Sequence, residues 1–490
     1  MLLNKPFLAG LLLCLPGLCL PVNLSEPERT ALEHITADSL RGHLSFIAGD
    51  LLEGRDTPSR GLDIAAEYIA AQFRRAGLQP GSFGSYFQEA KWETVEPDLD
   101  GAEVTIDNNG TKTAIAADNL RPQTSAALTL AGLEMVKLDA AESASWTPEQ
   151  VSGKVVVMAP LEPGRGGFRV MGAARAALAK LNPALVVTTF SGPQSRLRNP
   201  EDPPRYPSLG IVDSAFRKMV DEWKAGPTGA RLTVKLKPSS VQPVTLRNVV
   251  GVLPGSDPVL KDTYVLVTAH YDHVGIRRGG GTGDTIYNGA NDDGSGTVSV
   301  IEIASALAAL PRAPRRTLVF MTYFGEEKGL LGSRWYGKHP LFPVEKTVAD
   351  LNLEQLGRTD APGGSTVGTA SVTGFDYSDI GRLLHDVGAS MGFKINKDAN
   401  SEPFFARSDN QALADLGVPS HTIAAAYEYP DYHGLGDEWQ KIDYDNMAKL
   451  DRVIAAAIIE IAGSPHKPAW NPESSAAEKY RKAAETLSTR

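Results

Sequence analysis

Histidine and carboxylate side chains follow several short apolar runs in the second half of the chain. They are His270 and Asp272 after run 264–269, Glu326 and Glu327 after 317–323, Glu354 after 348–353, and Tyr432 and His433 beyond 422–426. Another acidic segment, Asn291-Asp292-Asp293, opens the helix predicted after the first run. Imidazoles and carboxylates without cysteine suit a borderline ion such as zinc better than calcium or magnesium.

The adjacent glutamates Glu326 and Glu327 indicate that two carboxylates have different roles at such a site. One carboxylate would bind the metal, and the other would stay free beside the reacting water to accept its proton. Asp272 stands two residues beyond His270, where a carboxylate could accept the second ring N–H and fix the metal-binding tautomer.

The apolar runs themselves predict the elements that position these groups. Three of these runs, 264–269, 317–323 and 422–426, are continuously apolar and bounded by polar residues, as expected of a parallel strand buried on both faces. A predicted helix, Gly296–Leu310, lies between the first two runs. The alternation predicts an α/β domain with a mostly parallel or mixed central sheet and helices on both faces. Sites in such sheets form at the carboxyl ends of the strands.

The middle of the chain has a different sequence pattern. Residues 117–240 contain short apolar strands between Gly and Pro turns, an Ala-rich helix over 172–181, and no histidine. We therefore expect a separate small β-rich α+β domain inserted into the site domain. The predicted organisation is 30–116 and 241–465 for the site domain, 117–240 for the insertion, and 466–490 for a polar tail that forms at most a frayed helix.

The bulk composition limits the partners. A chain of 490 residues is longer than a single hydrophobic core usually spans, so two domains are expected. Its net charge of −9 argues against a nucleic-acid partner. Residues 1–22 read as a signal peptide, with an N-terminal membrane anchor as the alternative. Both cysteines lie in this leader, so the mature chain contains no disulfide and no thiolate ligand. No later run approaches about 18 apolar residues, so no membrane span is expected in the mature chain.

The order of the motifs resembles peptidase family M28, the zinc peptidases in which one Asp bridges two metals. The matching segments are His270-Tyr271-Asp272, Gly289 to Gly296, Gly325-Glu326-Glu327, Asn352-Leu353-Glu354 and Tyr432-His433, with Glu53-Gly54-Arg55, Tyr68-Ile69, Gly77-Leu78 and Tyr86-Phe87-Gln88 near the N-terminus. Residues 117–240 resemble more weakly the protease-associated domain inserted in many members, chiefly through Val151 to Val156.

This resemblance implies a zinc exopeptidase, by family frequency an aminopeptidase, that holds two Zn²⁺ ions and acts on peptides. The leader in residues 1–22 adds the expectation that the protein is exported to the periplasm or secreted. Carried over by residue, Asp292 would bridge the ions and precede a cis peptide bond. His270 and Glu354 would complete one ion, and Glu327 and His433 the other. Glu326 would be the general base, and Tyr432 would hydrogen-bond the tetrahedral oxyanion.

One ligand departs from the family pattern. Glu354 stands where the family usually has Asp, and its side chain is one methylene longer. Two further residues are candidates for substrate contact: His273, close to the ligand motif, and Arg407, which would meet a substrate carboxylate. The Gly-rich run 279–283 reads as a rim loop, since no Lys-Ser/Thr follows it as in a phosphate cradle.

Other function classes stay open from sequence alone. A carboxypeptidase or dipeptidase of the same family would use the same ligands. A related glutaminyl cyclase would be a transferase with a single zinc. A catalytically inactive binding protein would have lost ligands, whereas all five positions here hold coordinating side chains. A Ser/His/Asp triad has no nucleophile-elbow motif to support it.

Overall fold

The computed structural model describes residues 24–158, 165–189, 194–202, 206–277, 283–398 and 401–489. The predicted leader 1–22 and most of the Gly-rich run 279–283 lie outside these ranges. The chain divides into two compact units. The first comprises the chain up to Gln88 and again from Arg247 onward, and the second comprises Glu89–Leu246.

The helices and strands are numbered here in chain order. The helices are α1 Glu26–Glu33, α2 Ala37–Ile47, α3 Arg60–Arg75, α4 Pro148–Val151, α5 Arg165–Leu181, α6 Ser214–Glu222, α7 Gly296–Ala308, α8 Leu331–Lys338, α9 Asp379–Ser390, α10 Asn410–Ala414, α11 Tyr444–Gly463 and α12 Glu478–Ser488. The strands are β1 Gln79–Pro80, β2 Phe87–Glu96, β3 Glu103–Asn108, β4 Thr111–Ala114, β5 Leu120–Pro122, β6 Leu128–Leu138, β7 Val155–Met158, β8 Leu185–Thr188, β9 Arg196–Arg198, β10 Ser208–Ile211, β11 Gly226–Leu236, β12 Ser240–Leu253, β13 Tyr264–His270, β14 Gly275–Ile276, β15 Ile286–Tyr287, β16 Thr317–Tyr323, β17 Thr347–Leu353, β18 Asp360–Ala361, β19 Gly364–Ser365, β20 Thr369–Val372, β21 Lys394–Asn396 and β22 Ser420–Ala424.

The first unit is built on a mixed sheet, which confirms the predicted fold class. Its strand order is β21-β20-β22-β17-β13-β16-β12. The four central strands, β22, β17, β13 and β16, are parallel to one another, and β12 and β20 pair antiparallel at either side of them. Strands β16 and β17 are buried along their whole length. The continuously apolar sequence of β16 predicts this burial, whereas β17 also buries Asp350 and Asn352.

Two groups of helices cover this sheet. Helices α8 and α10 pack over the strand residues Leu266, Val319 and Met321, where Tyr336 and Leu413 join the core. Helices α1, α2, α7 and α11 pack against one another, and α7 also contacts β13, β16 and β17. Helix α7 is buried almost all round, which explains why its sequence lacks a polar face.

The second unit has its own sheet, in the order β4-β3-β11-β6-β7-β8-β10-β5. Alternate residues of β7 enter two separate cores: Val155 and Val157 lie in one, and Val156 packs with Leu178 of α5 in the other. The unit starts at Glu89, upstream of the predicted residue 117, because β3 and β4 also belong to this sheet.

Some element bounds differ from the sequence-based ones. Strand β22 ends at Ala424 rather than Ala426, since the N–H of Ala425 donates to the carbonyl of Gln355, outside the strand ladder. In the predicted polar tail, α12 packs through Tyr480, whose ring stacks on Trp470 at 5.0 Å between centroids. Two aromatic residues therefore hold a segment that its overall polarity suggested would fray. Within the described ranges, no helix has the length and hydropathy that a membrane span needs.

Candidate metal centre

Three of the five predicted ligands, and the predicted base, lie at the carboxyl ends of three neighbouring parallel strands. His270 is the last residue of β13 and pairs in register with Tyr323, the last residue of β16. Glu326 and Glu327 follow β16 after Gly325, whose φ of 68° turns the chain across the sheet edge. Glu354 directly follows β17. Because these strands run side by side, their end residues converge, as the sequence predicted.

Asp292 lies between two imidazoles. Its Oδ1 is 3.3 Å from Nε2 of His270, and its Oδ2 is 3.0 Å from Nε2 of His433. Glu327 Oε1 is also 3.0 Å from His433 Nε2. Two groups of ligand atoms, each within 4.8 Å of one another, share this carboxylate: His270 with Asp292 and Glu354, and His273 with Asp292 and Glu327.

The donor atoms at this centre fit a divalent cation. Nε2 of His270, Oε1 of Glu327 and both ring nitrogens of His273 are buried and have no hydrogen-bond partner. Buried polar atoms normally have a partner. Nitrogen and carboxylate oxygen atoms are also the ligands that zinc takes in the absence of thiolates. The residues present therefore fit the zinc that the sequence motifs imply.

The backbone orients His270 toward this centre. Its Nδ1 lies 3.2 Å from the carbonyl oxygen of Asp272 and 3.6 Å from the Asp272 carboxylate. Since the carbonyl accepts the Nδ1 proton, Nε2 is left free to bind a metal. Asp272 Oδ1 instead accepts the backbone N–H of Glu326 at 3.0 Å. Asp272 thus fixes both the ligand histidine and the loop of the predicted base.

The two adjacent glutamates have different surroundings. Glu327 contacts His433 and His273, whose imidazoles outweigh burial and the repulsion by Asp292 and lower its pKa to about 2. Glu326 Oε2 stays 4.0 Å from His270 Nε2. Burial, together with repulsion from Glu354 and other carboxylates, raises the pKa of Glu326 well above its ordinary value. One carboxylate is therefore held in its charged form among imidazoles, and the other favours a proton.

Glu354 faces the same centre from β17. Its backbone N–H donates to the carbonyl of Ile423 at 3.1 Å, so the sheet fixes its position. Burial raises the pKa of Glu354 to about 7, repulsion from Asp292 and Glu327 adds to this, and His270 opposes it. The Glu at this position thus supplies a carboxylate to the His270 side of the centre.

Two neighbouring carboxylates hold the Asp292 loop by accepting hydrogen bonds from backbone N–H groups. The peptide bond between Asp292 and Asp293 is cis. Asp437 accepts the backbone N–H groups of Asn291 at 2.9 Å and Asp292 at 3.1 Å, and Tyr429 donates its hydroxyl to the same carboxylate. The Asp293 carboxylate accepts backbone N–H groups from three places: His270, Gly296 and Gln355.

A buried arginine holds the loops behind the centre. The Arg55 guanidinium donates to four carbonyl oxygens at 2.6–2.8 Å, those of Ile47, Tyr271, Asn288 and Gly289. Arg55 is fully buried, and burial lowers its pKa to about 10 against the attraction of Asp272 and Asp437. Its backbone φ is 50°, in the left-handed region.

The remaining predicted residues lie around this centre. The Tyr432 ring stacks on His433 at 4.2 Å between centroids. Arg407 is exposed, its guanidinium lies 4.6 Å from the centre of the Phe404 ring, and its charge acts on Tyr432. His273 is fully buried beside Glu327 and Asp292, within the ligand cluster itself rather than on a substrate-facing wall.

Sequence reasoning missed the residues that hold the ligands in place. Asp437 lies four residues beyond His433 in an irregular loop, where no periodicity or motif marks it. Arg55 stood in a motif that the family resemblance identified, but the four carbonyls that it bonds come from separate loops and carry no side-chain signal. Such contacts can be found only after the strands have been placed side by side.

Comparisons with known proteins show which family and fold the chain resembles. Residues 248–458 match the model of peptidase family M28. A probable zinc metalloprotease of Pyricularia oryzae is 27% identical over 346 residues, covering 59% of this chain and 66% of that protein. The aminopeptidase YwaD of Bacillus subtilis is 26% identical over 242 residues, covering 48% and 49% of the two chains. The chain thus spans between about half and two thirds of the length of these relatives.

A solved structure shows the same fold over nearly the whole chain. An aminopeptidase from Aneurinibacillus sp. strain AM-1 aligns with a TM-score of 0.59 over 90% of this chain and 97% of that one, at 18% identity. The structure of a peptidase M28 precursor from Shewanella amazonensis aligns with a TM-score of 0.51 over 91% of this chain, also at 18% identity.

Proposed function

We propose that the chain is an aminopeptidase that uses two zinc ions to hydrolyse N-terminal peptide bonds, since its residues 248–458 match peptidase family M28. The family match, the fold and a zinc-type ligand set are the premises. The number of ions, the residue roles and the class of peptide substrate are what is proposed.

The position of Asp292 carries the proposal. One of its oxygens faces His270 and the other faces His433, at 3.3 and 3.0 Å. A carboxylate placed in this way can bind one ion through each oxygen. Glu354 lies on the His270 side and Glu327 on the His433 side, so each ion would also have a carboxylate of its own.

Two zinc ions at this centre would polarise the scissile carbonyl, lower the pKa of water from ~15.7 toward about 7 and stabilise the tetrahedral oxyanion. Glu326 lies close to the His270 side without joining either ligand group. Its carboxylate would accept a proton from the attacking water and pass it to the leaving amine. Asp272 holds the Glu326 backbone in place for this transfer.

Tyr432 is proposed to hydrogen-bond the oxyanion. It directly precedes His433 and its ring stacks on that imidazole, which ties the phenol to the ligand loop. Burial and the neighbouring Asp292 and Glu354 raise its pKa, so the hydroxyl keeps its proton and remains a donor.

The single-zinc transferase alternative is disfavoured because both oxygens of Asp292 face an imidazole. A carboxypeptidase would require a cation for the substrate carboxylate, and Arg407 near Tyr432 is the candidate for that role. Substrate class therefore separates the two peptidase hypotheses more sharply than the metal centre does.

The test compares amino-acid nitroanilides, N-blocked peptides and dipeptides side by side. We expect hydrolysis of substrates with a free N-terminus, loss of activity with a chelator, and recovery with zinc at about two ions per chain. Cleavage only of N-blocked peptides with a free C-terminus would instead make the chain a carboxypeptidase. Failure of zinc to restore any hydrolysis would contradict the peptidase proposal.

We also propose that the chain is exported, on the basis of the leader pattern in residues 1–22, and that residues 117–240 form a protease-associated domain. Mass spectrometry of the N-terminus in the exported fraction would test the first proposal. A mature protein that retained residues 1–22 would contradict signal cleavage.

A further inference from the structure

His273 is a buried histidine for which the two-metal scheme above has no role. Its side chain is fully buried, and neither ring nitrogen has a hydrogen-bond partner. Gly289 packs against the ring so closely that a Cβ there would lie 2.3 Å from the imidazole Cγ. The imidazole is thus fixed in place by packing, and the hydrogen bonds that usually orient a buried histidine do not hold it.

A predicted ligand oxygen lies close to the ring of His273. Nδ1 of His273 lies 3.0 Å from Glu327 Oε1, yet the ring N–H direction does not meet that oxygen with hydrogen-bond geometry. Nε2 of His433 lies 3.0 Å from the same Oε1 and 3.0 Å from Asp292 Oδ2. The two imidazoles are 5.5 Å apart between centroids, at 77° to each other.

These separations are close to, and slightly shorter than, the edges of a zinc tetrahedron. Bonds of about 2.0–2.2 Å at tetrahedral angles place neighbouring ligand atoms roughly 3.3–3.6 Å apart. Two ligand atoms of one ion both point at that ion, so a ligand nitrogen need not point at the ligand oxygen beside it. The contact between His273 and Glu327, which lacks hydrogen-bond geometry, fits this arrangement better than it fits a hydrogen bond.

We propose that His273 is a fourth protein ligand of the ion held by Asp292, Glu327 and His433. The inference rests on the proposed two-metal function and adds an asymmetry to it. This site would have four protein ligands and be closed, whereas the site of His270, Asp292 and Glu354 would have three and keep one position open. Closed sites are typical of structural zinc and open ones of catalytic zinc. The reacting water would therefore bind on the His270 side, next to Glu326.

The competing explanation is that His273 only orients Glu327 from outside the coordination sphere. The full-length variant His273→Asn separates the two explanations, since its amide can place an N–H near the position of Nδ1 but is a poor zinc ligand. His273→Asp places a ligand oxygen at the same position and removes the N–H. His385→Asn, at an exposed histidine, is the matched control.

Metal binding is measured by isothermal titration with Zn²⁺ and by elemental analysis after dialysis, with circular dichroism to check folding. We expect His273→Asn to weaken zinc binding at one of the two sites by more than about 100-fold. Loss of a residue that only orients a ligand from outside the coordination sphere would cost less, roughly 10- to 100-fold. His273→Asp and His385→Asn should still bind two ions. X-ray absorption of the loaded wild-type protein should show about 1.5 imidazoles per zinc rather than about 1.

The inference is overturned if folded His273→Asn binds two ions with unchanged affinity, or if His273→Asp rather than His273→Asn loses an ion. An average of one imidazole per zinc in the wild-type protein would also overturn it. A wild-type chain that binds a single ion would instead contradict the two-metal proposal, so the two failures are distinguishable.

Discussion

Glu326 and Glu327 are neighbours in sequence, but different atoms surround their carboxylates. Glu327 lies 3.0 Å from two imidazoles, whereas Glu326 reaches only within 4.0 Å of His270. A carboxylate in contact with two imidazoles is suited to share an ion with them. One that stands beside the cluster is free to exchange a proton. This difference in distance is the physical basis for assigning ligand and base.

We therefore predict that Glu326→Gln keeps both zinc ions but loses turnover. The amide preserves size and cannot accept the proton, so kcat should fall by about 10²- to 10⁴-fold. Steady-state hydrolysis of an amino-acid nitroanilide, with zinc content measured on the same sample, checks this. Glu345→Gln, at an exposed glutamate, is the control. Near-normal turnover in Glu326→Gln would remove Glu326 from the mechanism.

The length of the Glu354 side chain should affect the rate of hydrolysis more than its charge does. Its backbone is fixed by the hydrogen bond to Ile423, so a shorter side chain cannot be compensated by a shift of the strand end. Replacement by Asp, the usual family residue, should retain the ion but displace the carboxylate by about one bond length. A misplacement of about 1 Å costs on the order of 10²-fold in rate. Equal kcat/KM in wild type and Glu354→Asp would show that the loop adapts to either residue.

At the scale of elements, the loops at the strand ends depend on side chains that bond their backbones. Arg55 joins the chain at Ile47, at Tyr271 after β13, and at Asn288 and Gly289 before the Asp292 loop. Its planar guanidinium has five N–H donors, a number that no other side chain offers. The loop after β13 and the Asp292 loop thus share one cation.

We predict that Arg55→Met destabilises the protein by at least about 3 kcal/mol, because it leaves several buried carbonyls without donors at roughly 1–3 kcal/mol each. The stability of Arg55→Lys should lie between that of Arg55→Met and that of the wild type, because an ammonium has fewer donors than a guanidinium and a different geometry. Urea unfolding of the zinc-free proteins measures the free energy of unfolding. Arg60→Met, at an exposed arginine, is the control, and equal stability of the two Met variants would contradict this account.

His421 in β22 should make the stability of the first unit depend on pH. Its Nδ1–H donates to the carbonyl of Thr373 at 2.8 Å, and its Nε2 accepts the Ser378 hydroxyl at 2.6 Å. Burial lowers the pKa of His421 to about 4 from 6.5, against the opposing bond to Thr373. Because the pKa of His421 is lower in the folded state than in the unfolded state, the contribution of neutral His421 to stability is complete above pH 6.5. It is lost as the pH falls through 6.5 toward 4.

The corresponding loss is about 3 kcal/mol between these pH values, from about 1.4 kcal/mol per pKa unit. Urea unfolding of the metal-free wild type and His421→Gln across this range measures it, since the other titrating groups are common to both proteins. The difference between the two curves should shrink as the pH falls. A parallel offset at every pH would show that His421 does not titrate in this window.

The sequence was sufficient for the strands and for the residues that follow them. The continuous apolar runs of β13 and β16 are readable because these strands are buried along nearly their whole length, and parallel strands necessarily bring their ends together. The order of the strands was not readable, nor were the bonds from Arg55 and Asp437 to backbone groups of distant loops. Those contacts depend on tertiary placement and use backbone atoms, which are the same in every sequence.

At the scale of the whole molecule, the two units have separate hydrophobic cores. Every candidate ligand, together with Arg55, Asp272 and Asp437, belongs to the first unit. The chain leaves that unit after Gln88 and returns at Arg247, and the side chains of Gln88 and Asn248 hydrogen-bond at 2.9 Å. The two ends of the first unit are therefore adjacent without the second.

This adjacency predicts that residues 89–246 can be replaced by a linker of about four Gly and Ser residues, which reaches up to ~13 Å. The shortened chain should fold cooperatively and bind zinc with the stoichiometry and affinity of wild type, because no ligand or loop-holding residue is removed. Circular dichroism, thermal unfolding and zinc titration check this, with amino-acid nitroanilides as the activity probe. If zinc binding persists while turnover of longer peptides changes, the second unit contributes to substrate selection. A folded deletion variant that no longer binds zinc would show instead that the metal centre depends on the second unit.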